Sequence, residues 1–215
     1  VMGVFRLLFN FFVLSLGFDE ALLGNLITTS SFVALLAALP LGYLADIIGR
    51  KGSLIISGAL LSISILAMSI WPSAEMFYAM NIVSGIAQSL AGVTMSPFLM
   101  ENSDEKERTY LFSFGQGLQM TMASVGNWVG GYLPTWLGHA KNVTATSSMA
   151  YGDSVFIIGV GAAIAIIPLL SLKSPKLERN QRAIFAPFQY AAKNPLLLTK
   201  LILPMLLTSL GAGLI

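Results

Sequence analysis

Long apolar runs, separated by short polar segments, constrain this chain more than any other feature of its sequence. A helix that crosses a bilayer needs about 20 mostly apolar residues. We predict seven such helices, over residues 1–16, 22–44, 54–71, 76–100, 110–137, 155–172 and 196–215. The first is short, which predicts a helix whose first turns are missing, and the seventh is still apolar at its last residue. The pattern therefore predicts an all-α membrane protein.

The scarcity of charged residues supports a membrane location. Only 10% of the residues are charged, and the mean hydropathy is +0.78, whereas soluble domains carry about 25% charged residues. This number of charged residues is too small to cover a surface that faces water. We therefore expect a lipid bilayer around the chain, rather than a soluble protein with an unusually large apolar core. The net charge of +2 is too small to favour nucleic acid as a partner.

The chain contains no cysteine and a single histidine, His139. The lack of cysteine excludes disulfides and thiolate metal sites, and one histidine cannot form a histidine metal cluster. All ten acidic residues map to predicted loops or helix ends rather than to the middle of a predicted helix. We therefore expect no metal and no cofactor.

Positive charge is concentrated on alternate connections between the predicted helices. Nine lysines and arginines lie in residues 49–52, 101–108 and 173–194, whereas only Lys141 lies in the other connections. Lysine and arginine are enriched in cytoplasmic loops, so we expect the connections between helices two and three, four and five, and six and seven to face the cytoplasm. The predicted location is a multi-pass position in a bacterial inner membrane.

The predicted domain organisation follows from the same pattern. Residues 1–172 form a six-helix bundle, residues 173–195 form a cytoplasmic linker, and residues 196–215 begin a seventh helix. A short repeat is visible, because Gly-Tyr-Leu occurs at 42–44 in the second predicted helix and at 131–133 in the fifth. Two triplets of helices with inverted topology would produce this repeat.

The segment from Gly42 to Lys51 carries the strongest chemical signal. It combines a carboxylate, Asp46, with two cations in a predicted tight turn. Gly42 lies one helical turn before Asp46 and leaves room for close helix approach, and Gly49 permits the turn. Asp46 could accept hydrogen bonds from the amides of a helix N-terminus. The cations Arg50 and Lys51 could pair with acids of the next cytoplasmic connection, where Glu101, Asp104, Glu105 and Glu107 are available. The predicted partners in that gate loop are Glu101, Asp104 and Arg108. The alternative is a turn that only caps two helices.

This segment, G-x-x-x-D-x-x-G-R-K, resembles the sequence between helices two and three of the major facilitator superfamily. Ile47 departs from that pattern, which often has a basic residue after the aspartate. The resemblance covers the whole hydropathy pattern and implies six N-terminal helices, a central linker and the start of helix seven. It also implies transport by alternating access, in which Asp46 contacts a helix end of a C-terminal half that this chain lacks.

The fifth predicted helix contains Gly126-Asn127-Trp128-Val129-Gly130-Gly131, which is similar to a motif of the family's drug/proton antiporters. Asn127 replaces the proline of that motif, and Met122 replaces an earlier glycine, so drug export is less well supported. The alternative is a helix-packing face of small residues formed by Gly126, Gly130 and Gly131. The fourth helix has Asn81 near the place where many proton-coupled members carry an arginine.

Polar side chains within predicted membrane helices are candidates for a substrate cavity. One face of the fourth helix carries Asn81, Ser84, Gly85 and Gln88, and one face of the fifth carries Gln116, Gln119 and Asn127. The alternative role for both stripes is hydrogen bonding between helices.

Arg6 is the one cation deep inside a predicted span, roughly 15 Å from its outer end. It needs an anionic partner, either a substrate or an acid in the absent half, and Asn10 lies one turn away. We expect a transporter of small organic molecules, with drug-type efflux first and sugar or organic-anion import second. A membrane module without transport is a further alternative. An intramembrane enzyme is not expected, because no Ser/Lys, histidine-rich or paired-aspartate site is visible.

Overall fold

The computed structural model describes residues 2–172, 199–200 and 203–204. The chain divides into two units, Val1–Arg179 and Asn180–Ile215. In the first unit the structure describes the helical bundle. In the second it describes only the four residues named above, all of them helical. The predicted linker and most of the predicted seventh helix lie outside the described residues, so both stay predictions.

Six of the seven predicted helices are present in the described part of the chain, and the sixth is divided in two. The helices are α1 (Met2–Ser15), α2 (Glu20–Ile48), α3 (Arg50–Ile70), α4 (Ala74–Glu101), α5 (Glu105–Lys141), α6 (Ser148–Ile164) and α7 (Ile167–Ser171). Several helices are longer than predicted, because polar residues extend them at the ends. Side chains of Asp19, Ser73 and Ser147 accept backbone hydrogen bonds at the starts of α2, α4 and α6, as good N-cap residues do.

The predicted turn from Gly42 to Lys51 is almost entirely helical, which corrects the sequence analysis. Helix α2 continues to Ile48 and α3 begins at Arg50, so Gly49 alone separates them. Gly49 has a φ of 93°, a backbone conformation that residues other than glycine rarely adopt. Asp46 therefore lies inside α2 rather than in a loop.

The break between α6 and α7 has a local cause in Pro168. A proline has no backbone N–H, so it cannot donate a hydrogen bond to the carbonyl four residues earlier. For Pro168 that carbonyl belongs to Ile164, the last residue of α6. Proline is well tolerated in the first turn of a helix, which is its position in α7. The two helices continue one apolar segment, Ser148–Ser171.

Four segments in the described part of the chain are long and apolar enough to cross a membrane: Glu20–Ile48, Arg50–Ile70, Ala74–Glu101 and Ser148–Ser171. Helix α1, with 14 residues, is shorter than the roughly 20 that a bilayer core requires. Helix α5 has 37 residues but is the least apolar of the long helices.

The helix pairing has an internal symmetry. Helix α1 packs against α5 and α6, and α4 packs against α2 and α3. If α1 is exchanged with α4, α2 with α5 and α3 with α6, the contacts of α1 with α5 and α6 become the contacts of α4 with α2 and α3. The same exchange leaves the contact between α3 and α6 unchanged. Two three-helix repeats of inverted topology produce this arrangement, so the symmetry supports the repeat that the Gly-Tyr-Leu triplets indicate.

Aromatic packing joins α1 to α4 in the core. Phe9 lies 5.2 Å from Phe5 and 5.6 Å from Phe77, measured between ring centroids. Phe77 also contacts Phe12 and Phe18, and its side chain is fully buried. Such edge-to-face pairs contribute beyond the area they bury.

Small residues allow close contact elsewhere in the bundle. The hydroxyls of Ser62 and Ser69 in α3 donate to carbonyls of α6, at 2.9 and 3.0 Å. Between α2 and α4, a Cβ on Gly85 would lie 2.4 Å from the carbonyl oxygen of Ser30. Close approach through glycine and serine is typical of helices that pack within a membrane.

Helices α2 and α5 present large apolar side chains that nothing in the described residues covers. On α2, Leu35 is 71% exposed and Leu36 is 63% exposed, while Phe114 on α5 is 71% exposed. A soluble monomer rarely leaves large apolar patches in contact with water. These faces require lipid or another protein surface.

Candidate functional site

The corner between α2 and α3 is held by a group of three charged side chains. The guanidinium of Arg50 lies 2.8 Å from the carboxylate of Asp46 and 2.9 Å from that of Glu101. Arg50 and Asp46 are four residues apart, on either side of Gly49, so their ion pair spans the break between the helices. Glu101 is the last residue of α4. Arg50 therefore joins α2, α3 and α4 at one end of the bundle.

Lys51 has a different partner from the acids considered in the sequence analysis. Its ammonium donates to the backbone carbonyls of Leu170 and Leu172, at 2.8 and 2.6 Å. These carbonyls lie at the end of α7, where a helix leaves acceptors unsatisfied and favours positive charge. Lys51 therefore fixes the end of α7 to the start of α3.

The other predicted partners, Asp104 and Arg108, make no ion pair with this group within residues 2–172. Asp104 precedes α5, and its carbonyl accepts hydrogen bonds from the amides of Glu107 and Arg108. The guanidinium of Arg108 donates to the carbonyl of Met100, at 3.3 Å. Within residues 2–172, the structure pairs only Glu101 of the three predicted partners with Arg50.

The two glycines of the corner have different surroundings. Gly49 has the positive φ described above, which explains its place in the turn. A Cβ on Gly42 would meet nothing within 4 Å, so the predicted close helix approach at Gly42 does not occur within the described residues. The face of α2 that carries Gly42 is open.

A cavity of about 200 Å³ lies between α1, α2 and α4. It contains the predicted residues Arg6, Asn10, Asn81, Ser84 and Gln88, together with Phe5, Phe9, Ile27, Ser30 and Ser31. Ser30 and Ser31 were not among the predicted cavity residues, although the four consecutive hydroxyl residues 28–31 in a largely apolar helix would have indicated them. The cavity therefore combines one cation, neutral polar groups and aromatic walls.

Hydrogen bonds connect several polar groups of the cavity. The Nη2 atom of Arg6 lies 3.4 Å from Oε1 of Gln88, and the amide of Gln88 donates to the hydroxyl of Ser84 at 3.1 Å. Asn81 donates to the carbonyl of Phe77 on its own helix, at 2.8 Å, and approaches the sulfur of Met68 on α3. Asn81 thus has a packing role as well as a place on the cavity wall.

The second predicted stripe does not reach this cavity. Gln116, Gln119 and Asn127 are exposed, and none of the three lines the cavity that contains Arg6. Asn127 instead faces α1, where its side-chain oxygen would lie 3.0 Å from a Cβ on Gly3. A wider, open groove of about 950 Å³ runs along the start of α5, with Tyr110, Phe114 and Thr121 among its lining residues.

The glycines of α5 divide into a packed pair and an open one. A Cβ on Gly126 or Gly130 would lie 2.8 or 2.2 Å from the side chain of Val4, whereas a Cβ on Gly131 would meet nothing within 4 Å. Gly126 and Gly130 therefore allow α1 to approach α5 closely, as the small-residue alternative predicted. Gly131 makes no such contact in the described structure.

Comparisons with known proteins agree with the family that the segment from Gly42 to Lys51 resembles. The family model described as Major Facilitator Superfamily matches residues 1–215. The chain is also similar to an "Uncharacterized MFS-type transporter YqjV" of Bacillus subtilis (strain 168), with 26% identity over 170 residues. The similar region covers 76% of this chain and 38% of that protein, so this chain matches well under half the length of its relative.

Proposed function

Because this chain belongs to the major facilitator superfamily, a family of membrane transporters, we propose that it forms the N-terminal half of a secondary transporter for small organic molecules. The transporter would work by alternating access around a site between two halves. The observation that carries this proposal is the cavity at Arg6, Asn81 and Gln88. It places polar groups and a cation among apolar helices, where such groups are energetically costly and therefore indicate a functional site.

The exposed faces of α2 and α5 support a second half. These two helices are related by the internal symmetry, and both present apolar side chains without cover in the described part of the chain. The similar region covers only 38% of the Bacillus subtilis protein, which leaves room for further helices. We propose that a C-terminal half packs against α2 and α5 and closes the cavity.

The corner at Gly49 is the proposed gate element of this half. Arg50 and Lys51 fix four helix ends to one another, so α2, α3, α4 and α7 would move together at this end of the bundle. The carboxylate of Asp46 is 30% exposed, and Gly42 leaves the same helix open one turn earlier. A helix N-terminus of the second half could approach there and bind Asp46.

The proposed orientation places this corner in the cytoplasm. The distribution of lysine and arginine supports that assignment, and the relative belongs to a bacterium. The connection between α4 and α5 and the linker after α7 would face the cytoplasm as well, in a bacterial cell membrane.

Drug-type efflux remains the first candidate activity, but its supporting motif has a structural explanation. Gly126 and Gly130 serve the contact with Val4, which needs no export function. The position of Arg6 on the cavity wall favours the second candidate, transport of organic anions. A sugar substrate would use the neutral amides and hydroxyls but would leave the cation without a partner.

Counterflow in proteoliposomes tests the proposal. The complete protein is reconstituted, loaded with unlabelled ethidium, glucose or hippurate (an aromatic carboxylate), and given a trace of the labelled compound outside. We expect transient accumulation of at least one label, and protein-free liposomes are the control. A membrane module without transport would accumulate none of the three, and that result would contradict the proposal.

A further inference from the structure

Arg6 has surroundings that leave most of its hydrogen-bonding capacity unused. Its single described side-chain contact, with Oε1 of Gln88, is 3.4 Å long, beyond the usual 2.7–3.2 Å range. A guanidinium carries five N–H donors. Among the described residues, no carboxylate lies within ion-pair distance of Arg6. The side chain is exposed and borders the cavity.

The groups around Arg6 orient it without neutralising it. The amide nitrogen of Gln88 donates to Ser84, which turns the amide oxygen of Gln88 towards the guanidinium. An amide oxygen carries no net charge, so the positive charge of Arg6 remains uncompensated. A cation deep within a membrane protein requires an anion or water.

The aromatic and neutral polar residues on the rest of the cavity wall indicate what kind of anion would fit beside Arg6. Phe5 and Phe9 form a stacked aromatic pair with ring centroids 5.2 Å apart. Asn10, Ser30 and Ser31 add neutral polar groups to the wall. Aromatic side chains on the wall beside a guanidinium suit a ligand with a flat apolar body and an anionic end.

We propose that Arg6 binds the carboxylate of an organic monoanion whose apolar body lies against Phe5 and Phe9. This inference rests on the proposed transport function and names the class of its substrate. One cation can neutralise one negative charge, whereas a phosphate dianion would leave a second charge without a partner in apolar surroundings. A carboxylate also matches the planar fork of arginine, because it can accept two parallel hydrogen bonds.

The size of the cavity limits what this half can bind. Sites for drug-sized ligands occupy about 300–1,000 Å³, and this cavity has about 200 Å³. The described helices would therefore hold the anionic end and one ring. The rest of a larger substrate would contact the second half.

Equilibrium binding of benzoate to the complete protein in lipid nanodiscs tests this proposal, with benzamide as a neutral probe of the same shape. We expect the wild type to bind benzoate more tightly than benzamide. Arg6→Gln should raise the Kd for benzoate by about tenfold or more and leave that for benzamide unchanged. Arg6→Lys should have a smaller effect, because it retains the charge but loses the fork. Lys141→Gln, which removes a cation that pairs with Asp153 and does not line the cavity, is the matched control and should bind as the wild type does.

Gln88→Glu provides a second test that retains Arg6. It places a carboxylate beside the guanidinium, which should compete with benzoate and weaken its binding by a similar factor. A benzoate Kd unchanged by both Arg6→Gln and Gln88→Glu would overturn the proposal, as would equal losses for benzoate and benzamide. A wild type without preference for benzoate would overturn it too.

The binding result separates this proposal from the proposed function. Benzoate binding that depends on Arg6, without counterflow of any compound, would support the anion site and contradict transport. Counterflow of ethidium or glucose, with benzoate binding that is independent of Arg6, would contradict the anion site alone.

Discussion

The guanidinium of Arg50 lies 2.9 Å from the carboxylate of Glu101, although 51 residues separate them in the sequence. This ion pair connects the first residue of α3 to the last residue of α4, and these helices belong to different three-helix repeats. Its side chains are 19% and 26% exposed, so water screens the pair only in part. The pair therefore links the two repeats at the end that carries Asp46.

Breaking this pair should weaken the bundle modestly. We expect a double-mutant cycle of Arg50→Gln and Glu101→Gln, measured by thermal unfolding of the complete protein in detergent, to give a coupling energy of about 0.5–1 kcal/mol. Because Glu101→Gln leaves the pair between Arg50 and Asp46 intact, its single effect should be smaller than that of Arg50→Gln. Strictly additive effects of the two substitutions would show that the pair contributes nothing.

Substituting alanine for each of two adjacent glycines of α5 should have different effects on the stability of the protein. At Gly130 a Cβ would lie 2.2 Å from Val4, whose branched side chain has little rotameric freedom, so Gly130→Ala should cost about 1–3 kcal/mol. Gly131→Ala is the matched control, because a Cβ there meets nothing within 4 Å. Unfolding midpoints in detergent measure both effects. Equal midpoints for the two variants would argue against the close contact between α1 and α5.

The proposed orientation can be tested by labelling single cysteines. This chain has no cysteine of its own, and both Lys106 and Lys141 are exposed. In an otherwise cysteine-free protein, Lys141→Cys should react with a membrane-impermeant maleimide added to intact cells. Lys106→Cys should react only after the membrane is opened. The reverse pattern would invert the assignment of the cytoplasmic side.

Sequence patterns predicted the helices of the bundle because a bilayer imposes a long apolar run on each one. Glu101 was among the acids predicted to be available to Arg50, whereas the ion pair between Arg50 and Asp46 was not predicted. Helix ends were less predictable. The residues from 42 to 51 looked like a turn because they include two glycines and three charged side chains. In the structure α2 continues to Ile48, and the ion pair between Asp46 and Arg50 spans Gly49, the single residue between the helices.

Contacts that depend on tertiary packing were not predictable. Lys51 binds backbone carbonyls at Leu170 and Leu172, and every residue carries a carbonyl, so no sequence pattern marks these two. Helical spacing grouped Gln116 with Gln119 on one face, but it could not show which neighbouring helix that face meets. Arg6, Asn10, Asn81 and Gln88 come together because α1 and α4 meet through the core contact of Phe9 with Phe77.

The rate of counterflow in the Asp46→Asn variant of the complete protein tests most directly whether the corner at Gly49 is a gate. Asp153→Asn is the matched control, because Asp153 is 32% exposed against 30% for Asp46 and also makes one ion pair, with Lys141. Loss of a contact between a carboxylate and a helix N-terminus, at about 1 kcal/mol, predicts counterflow roughly fivefold slower in Asp46→Asn. Both variants should remain folded, and Asp153→Asn should transport at the wild-type rate. Counterflow at the wild-type rate in Asp46→Asn would contradict a gating role for this segment.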